Sequence, residues 1–147
     1  MAKKQKKKDI EEKEAFKELE CLKKACNTLL KNKIQLVDID NDASIDARLI
    51  FSIKTKSELL VVIKNFKKDE LTFVNKTTKK KTREIPPPDV YAFYFSYNLT
   101  DGYFAFYKSA FTGKWIIKSF HHKHRVEETA LGEAFKKAGI KTGKERS

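Results

Sequence analysis

An aromatic stretch over residues 90–138 constrains the fold of this chain more than any other feature. It contains the only Trp, all five Tyr and most of the Phe residues, so most of the large apolar surface that can drive folding lies there. Turn-forming residues at 98–102 and 112–113 divide the stretch into three runs of aromatic and β-branched residues. Such runs fit a pleated, half-buried surface. The stretch therefore predicts three consecutive antiparallel strands.

The first of these strands, residues 90–97, is aromatic on both faces, because alternate residues of a strand point to opposite sides. One face takes Tyr91, Phe93, Phe95 and Tyr97, and the other takes Val90, Ala92 and Tyr94. One face can pack into a hydrophobic core, and the other must be covered by another element of the fold. The apolar residues that follow the third strand have helical spacing. They are Val126, Ala130, Leu131, Ala134, Phe135 and Ala138. We therefore expect a C-terminal helix packed against the sheet.

The length of 147 residues predicts one domain with additional segments at its termini. Residues 1–8 form a lysine-rich tail that we expect to be disordered, and residues 9–32 form an amphipathic helix. Residues 33–140 form the domain, and residues 141–147 form a C-terminal tail. The sequence shows neither a signal peptide nor a long apolar run, so we expect a cytoplasmic protein, with the inner face of the membrane as an alternative location.

Charge and cysteine content limit the chemistry. The chain has 32 Lys and Arg against 20 Asp and Glu, a formal net charge of +12, which predicts anionic partners such as nucleic acid, acidic lipid or acidic peptide. Cys21 and Cys26 lie in a helical pattern at a spacing that projects them from different faces, which suits neither a metal site nor a redox pair. We therefore expect no metal and no cofactor.

The middle of the chain predicts the remaining elements. Residues 34–39 alternate like a strand, and residues 44–55 favour a helix, although their pattern also allows a strand. Residues 58–66 are β-branched and nearly continuous in apolar character, which predicts a buried strand. Short strands are expected at residues 71–75 and 82–85, before a run of prolines. Together with the three aromatic strands, the predicted strands number about seven. We therefore expect an α+β fold, in which an antiparallel curled sheet or partly open barrel is closed by the C-terminal helix.

Several short motifs occur in an order shared with one known family. LTFVNKTTKKKTREIP at residues 71–86 is similar to that family's short strand, D-x-x-T-K turn and strand ending in Pro. FAFY at residues 104–107 is similar to its FAF or FAY strand, and LGEAF at residues 131–135 to the GxAF core of its closing helix. GKWIIKSF at residues 113–120 lies where the family has a Gly-Arg-aromatic run, with Ile-Lys in place of the usual Cys-His. The chain thus resembles the phosphotyrosine-binding (PTB) domains of the pleckstrin-homology superfold.

The resemblance implies a non-enzymatic adaptor or signalling module. In the family, a peptide with an Asn-Pro-x-Tyr turn, such as a receptor tail, adds as a strand to the edge of the fifth strand, beside the closing helix. By position, that edge is residues 90–97. The peptide-binding residues implied are Val90, Tyr91, Ala92, Phe93, Tyr94, Phe95, Leu131, Ala134, Phe135 and Ala138. No catalytic residue is implied.

Basic residues before the prolines predict an anion-binding turn. They are Lys79, Lys80, Lys81 and Arg83. In several PTB and pleckstrin-like domains, basic residues on such loops hold phosphoinositide headgroups, so the resemblance implies anionic membrane lipid as a partner. Plain solvation of the turn is the simpler interpretation.

A histidine cluster at the end of the third aromatic strand indicates a different class of function. His121, His122 and His124 lie beside Lys123 and Arg125, which are the residue types that a metal-independent ribonuclease needs for proton transfer and phosphate stabilisation. The high charge and the aromatic sheet also suit stacking with RNA bases. Alternation sends His121 and His122 to opposite faces, and a solvated strand end is the simplest interpretation. Nucleic-acid binding is therefore the alternative function, and catalysis ranks behind it.

Overall fold

The computed structural model describes the backbone of residues 2–123 and the side chains of residues 7–123. This part of the chain contains three α-helices, a short 3-10 helix and five strands. In chain order they are α1 (Ala2–Asn32), β1 (Val37–Ile39), α2 (Asn41–Phe51), α3 (Lys56–Lys64), the 3-10 helix (Lys68–Glu70), β2 (Thr72–Thr78), β3 (Asp89–Tyr97), β4 (Thr100–Lys108) and β5 (Trp115–His122). The C-terminal helix expected from the sequence falls outside the described residues.

The strands form one mixed sheet in the order β1-β5-β4-β3-β2. β1 runs parallel to β5, and the other neighbouring strands are antiparallel. The α+β class is therefore confirmed. The described strands number five rather than about seven, and they form an open sheet that does not close into the expected barrel. The difference arises because two segments expected to be strands adopt other conformations.

The first of these segments, residues 58–66, forms most of α3 instead of a buried strand. The side-chain oxygen of Thr55 accepts a hydrogen bond from the backbone N–H of Glu58, and the Glu58 carboxylate accepts one from the N–H of Thr55. This reciprocal cap begins a helix. Leu59 is buried, and so is Ile63 one helical turn later. The strand prediction is wrong because the cap and the burial of one helical face outweigh the β-propensity of the valines and isoleucine.

The second segment, residues 82–85, forms no strand. Glu84 instead turns inward, where its carboxylate accepts hydrogen bonds from the Ser109 hydroxyl at 2.9 Å and from the backbone N–H of Ala110 at 2.6 Å. The prolines that follow cannot donate to a strand ladder. The connection between β2 and β3 is therefore irregular, and it is tied to the loop between β4 and β5.

The helix boundaries also differ from those expected. α1 begins at Ala2 rather than at Asp9, so the lysine-rich segment expected to be a disordered tail is helical from Ala2 onward. Lysine is a good helix former, and no proline or glycine interrupts the segment. Residues 44–55 contribute to a helix, as the sequence favoured, but α2 ends at Phe51 because Ser52 adopts a left-handed conformation. No helix within residues 2–123 combines the length and apolar character needed to cross a bilayer.

All three helices contribute to a core on one face of the sheet, which we call the helical face. Its buried strand residues are Val37, Phe73, Tyr91, Phe93, Phe95, Phe104, Phe106, Trp115, Ile117 and Phe120. The rings of Phe93 and Phe104 stack with their centroids 5.7 Å apart, and Phe51 of α2 meets Phe120 edge-on at 5.2 Å. This aromatic core fixes which strand residues point to the opposite face, which we call the second face.

A two-residue turn joins β3 to β4. Asn98 and Leu99 have φ angles of 49° and 66°. Two successive positive φ angles match a type I′ turn, whose twist fits that of the flanking strands. Gly102, which the sequence suggested for the turn, lies within β4, where an added Cβ would overlap the ring of Phe95.

We expect Leu99→Gly to raise the free energy of unfolding by about 1 kcal/mol, because glycine removes the strain of a side chain in the left-handed region. The Leu99 side chain is fully exposed, so little packing is lost. Gly102→Ala in the same hairpin should instead lower the free energy of unfolding by about 1–3 kcal/mol, because of the overlap with Phe95. Urea unfolding followed by circular dichroism measures both. Destabilisation by Leu99→Gly together with a neutral Gly102→Ala would contradict this description of the hairpin.

Candidate functional site

β3 lies inside the sheet and not at its edge. β2 pairs with residues 89–94 of β3, and β4 pairs with residues 91–97 on the other side. The free peptide-pairing edge expected at residues 90–97 is therefore not present up to Tyr94, because β2 already occupies the neighbouring position. An incoming peptide cannot add a strand where one is already hydrogen-bonded.

The side chains of β3 divide between two surfaces, as alternation predicts. Tyr91, Phe93 and Phe95 are buried in the helical face, whereas Val90 and Ala92 belong to an apolar cluster on the second face together with Ala105 and Tyr107. The other expected groove residues lie outside the described part of the chain, namely Leu131, Ala134, Phe135 and Ala138. The described residues of the expected peptide site are thus not brought together in one groove.

Tyr91 links β3 to α1. Its hydroxyl donates a hydrogen bond to the Glu14 carboxylate, and Lys76 Nζ lies 2.9 Å from the same carboxylate. The hydrogen bonds from Tyr91 and Lys76 hold the pKa of Glu14 below its ordinary value. Burial, and then the bond to Glu14, raise the pKa of Tyr91, so its phenol stays protonated. These contacts join α1 to β2 and β3, so the cluster is a structural link between the helix and the sheet.

A row of three rings crosses the second face. Tyr94 of β3 pairs with Tyr103 of β4, and Tyr103 pairs with His121 of β5. The centroids of Tyr94 and Tyr103 are 6.1 Å apart, and the rings of Tyr103 and His121 stack at 4.9 Å with 15° between their planes. Lys123 Nζ lies 4.8 Å from the centroid of the Tyr94 ring. We call Tyr94, Tyr103 and His121 the ring row; all three side chains are half-buried.

A strip of small side chains runs beside the ring row. Ala92, Ala105 and Ser119 follow one another across β3, β4 and β5. On the far side of this strip lies Tyr107, with Lys79 Nζ 5.6 Å from its ring centroid. The second face therefore has a middle strip of small side chains between two bulkier rows, and Ala92 and Ala105 in this strip are buried. Each bulky row has a lysine against one of its rings.

Among the described residues, acidic groups lie at the margins of the second face. Asp101 pairs with Ser96 at the end of the ring row, where both line a shallow pocket together with Glu70, Tyr94 and Lys123. At the other margin, burial raises the pKa of Asp40, while the charges of Lys79 and Lys118 oppose that shift. Lysine side chains thus accompany the carboxylates at both margins.

The histidine cluster is divided by the sheet, as alternation predicts. His121 stacks on Tyr103 on the second face, whereas the ring of His122 lies 6.4 Å from Phe51 on the helical face. Nδ1 of His121 lies 2.8 Å from the backbone oxygen of His122, and a carbonyl oxygen only accepts, so Nδ1 carries the hydrogen. His124 lies outside the described residues. The two described histidines therefore do not form a paired acid–base site.

The basic residues of the expected anion site lie in the irregular connection between β2 and β3. Lys79 Nζ donates a hydrogen bond to the backbone oxygen of Lys81 at 2.6 Å. Lys80, Lys81 and Arg83 are exposed. The structure therefore keeps these residues together on one loop, at the opposite end of β3 from the ring row.

The two cysteines occupy different surroundings, as their spacing predicts. Cys21 is exposed and Cys26 is buried. Burial raises the pKa of the Cys26 thiol to about 12, which makes it unreactive at neutral pH. Among the described residues, no group of three or more His, Cys, Asp or Glu side chains is placed to hold a metal ion.

Tyr103 is the site residue that the sequence analysis did not identify. A usable signal was present, because Tyr94 and Tyr103 lie at equal distances on either side of the turn formed by Asn98 and Leu99. Antiparallel pairing around a two-residue turn places such residues opposite each other. When the turn is assigned to residues 98–102, the register of β3 against β4 stays undefined, so the pairing of Tyr94 with Tyr103 is not predicted.

The chain matches no protein-family model, no curated protein and no solved structure. The resemblance to phosphotyrosine-binding domains thus rests on the sequence motifs alone. The geometry of the described surfaces has to supply the functional hypothesis.

We expect Glu14→Gln to lower the free energy of unfolding by about 1 kcal/mol at neutral pH, because an amide replaces a half-exposed carboxylate that accepts two hydrogen bonds. The folded-state pKa of Glu14 lies below its unfolded value. Its stabilising contribution is therefore present above the unfolded pKa and is lost as the pH falls through the folded pKa. Urea titrations of wild type and variant across this pH range measure the difference.

Glu12→Gln provides the matched control, since Glu12 is an exposed glutamate on the same helix. It should leave the free energy of unfolding nearly unchanged. A difference between wild type and Glu14→Gln that stays constant from neutral to acid pH would rule out the link between Glu14 and Tyr91.

Proposed function

We propose that this protein binds single-stranded RNA on the second face of its sheet, without cleaving it. The observation that carries the proposal is the ring row, in which Tyr94, Tyr103 and His121 lie side by side on adjacent strands. Aromatic and histidine side chains on a sheet surface are a common platform for the unstacked bases of RNA.

The rings of the row lie against one another, with centroids 6.1 and 4.9 Å apart, so together they form one aromatic surface on which an unstacked base can stack. The neighbouring strip adds little contact surface, because Ala92 and Ala105 are buried, so the rings themselves carry the contact with the bases. Base–aromatic stacking contributes about 1–3 kcal/mol per base, so a row of rings supplies useful affinity without sequence preference.

The charge distribution supports a nucleic acid as the partner. The chain carries a formal net charge of +12. Lys123 lies against Tyr94 on one side of the second face, and Lys79 lies against Tyr107 on the other. Lysines in these positions neutralise phosphates and release counterions, so the affinity should fall as salt is added.

The separation of the histidines supports binding rather than cleavage. Acid–base cleavage of RNA without a metal needs two proton-transfer groups at the same phosphate. His121 and His122 contact rings on opposite faces of the sheet. A phosphate near the ring row is therefore within reach of only one of these two histidines.

We expect Tyr94→Ala and Tyr103→Ala each to weaken binding to an unstructured RNA about 5- to 100-fold, through the loss of one stacked base. Tyr94→Phe and Tyr103→Phe keep the ring and should retain the affinity. Fluorescence anisotropy with a labelled mixed-sequence RNA measures the dissociation constant at low and high salt. Thermal unfolding verifies that each variant is folded.

Two lysine variants distinguish binding at the ring row from attraction by the overall charge. Lys123→Gln removes the cation at the ring row, whereas Lys24→Gln removes one from an exposed position of α1. We expect the first to weaken RNA binding more than the second. Equal losses, or unchanged affinity in folded Tyr94→Ala and Tyr103→Ala proteins, would remove the ring row from the binding surface.

A second candidate is peptide binding by strand addition, and the position of β2 favours it. β2 is the outermost described strand on its side of the sheet, and it pairs with β3 on its inner side. An edge strand offers backbone donors and acceptors to an extended segment of the Asn-Pro-x-Tyr type. This candidate keeps the adaptor role implied by the PTB resemblance but moves the pairing from residues 90–97 to β2.

Titration with an Asn-Pro-x-Tyr peptide and its phosphotyrosine form tests the second candidate. If the peptide adds to β2, hydrogen exchange of the β2 amides should slow on binding. The amides of β3 that are already paired on both sides should change little. The absence of saturable binding by either peptide would eliminate the candidate.

A further inference from the structure

Two large apolar side chains are exposed in loops at the same end of the sheet. Ile85, between β2 and β3, is 93% exposed, and Phe111, between β4 and β5, is 67% exposed. These loops are neighbours because the start of β3 pairs with the end of β4. Two such side chains in adjacent loops mark a contact surface better than scattered apolar residues do.

A buried carboxylate holds the two loops together. Glu84 is 7% exposed, and it accepts hydrogen bonds from the Ser109 hydroxyl at 2.9 Å and the Ala110 N–H at 2.6 Å. Ile85 follows Glu84 in the chain, and Phe111 follows Ala110, so this contact fixes where both apolar side chains emerge. The prolines after Ile85 further restrict the loop. A surface ordered in advance loses little conformational entropy on binding. We call Ile85, Phe111 and the residues of this contact the loop tip.

Exposed basic residues lie within or next to the two loops of the loop tip. They are Lys80, Lys81, Arg83 and Lys108. The nearby carboxylates are engaged elsewhere: Glu84 in the loop contact, Asp89 with Lys76 at 3.7 Å, and Asp38 with Lys114 at 3.6 Å. The loop tip therefore has an apolar centre and a positively charged rim.

We propose that the loop tip binds the surface of an anionic phospholipid bilayer. Ile85 and Phe111 reach the boundary of the acyl chains, while the basic rim contacts the negatively charged headgroups. RNA would account for the basic rim but not for an exposed aliphatic side chain at its centre. The loop tip and the ring row lie at opposite ends of β3, so the proposal does not depend on RNA binding at the ring row.

Cosedimentation with lipid vesicles tests the proposal on the full chain. The wild type should bind vesicles that contain phosphatidylserine at least about tenfold more tightly than vesicles of phosphatidylcholine alone. The double variant Ile85→Ser/Phe111→Ser should bind the anionic vesicles at least about tenfold more weakly, because it removes the apolar surface that leaves water. Leu49→Ser is the matched control: it removes a 73% exposed leucine from α2 and should bind like wild type.

Charge variants separate a local rim from the overall charge. Lys80→Gln/Lys81→Gln/Arg83→Gln removes three charges from the rim and should weaken binding to anionic vesicles at least about tenfold. Lys17→Gln/Lys24→Gln/Lys31→Gln removes three charges from exposed positions of α1 and should weaken it less. Equal losses in the two triple variants would show that net charge alone attracts the protein, which would overturn the proposal.

Tryptophan fluorescence tests insertion of the apolar centre. Phe111→Trp in a Trp115→Phe background leaves the only tryptophan at the loop tip. Its emission should shift to shorter wavelength on anionic vesicles and should be quenched by brominated lipid. An unshifted spectrum on bound protein, or wild-type vesicle binding by Ile85→Ser/Phe111→Ser, would overturn the proposal. Loss of RNA affinity in that double variant, with vesicle binding unchanged, would assign the loop tip to RNA instead.

Discussion

The packing of aromatic rings on the helical face is the interaction on which the rest of the structure depends. Phe93, Phe104 and Phe106 have no exposed surface, and their ring centroids lie between 5.7 and 6.2 Å apart. Phe51 and Phe66 join the same cluster from α2 and from the segment after α3. Large rings contribute most of the apolar surface that leaves water on folding. Once they face the helices, alternation turns the intervening residues outward, so the core determines where the ring row lies.

Local pattern predicted the elements in which propensity and environment agree. β3 and β5 lie where the aromatic runs indicate, and the faces of His121 and His122 follow from alternation. Residues 58–66 became a helix because the Thr55 cap and burial of one face opposed the β-propensity of the segment. The position of β2 beside β3 was not predictable from local pattern, because strand neighbours are chosen by long-range pairing. That pairing removed the expected peptide-binding edge.

The two candidate surfaces were predictable to different degrees. Tyr94 and Tyr103 are adjacent because of the hairpin register, which a correct assignment of the turn would have supplied. The contact of Glu84 with Ser109 joins distant parts of the chain, and a glutamate beside a lysine-rich segment gives no local sign of burial. The sequence likewise gives no sign that Ile85, which follows Glu84, is exposed. Both surfaces are held by the same strands, so we propose that one sheet carries both an RNA-binding face and a membrane-binding loop tip.

Chemical-shift mapping by NMR with an unstructured single-stranded RNA tests the central claim most directly, which is that the second face is the RNA-binding surface. The aromatic resonances of Tyr94, Tyr103 and His121 should change and saturate together as RNA is added. The amides of α1 should change much less, because this helix packs on the helical face. Changes confined to α1 or to β2, with the three rings unaffected, would contradict the account.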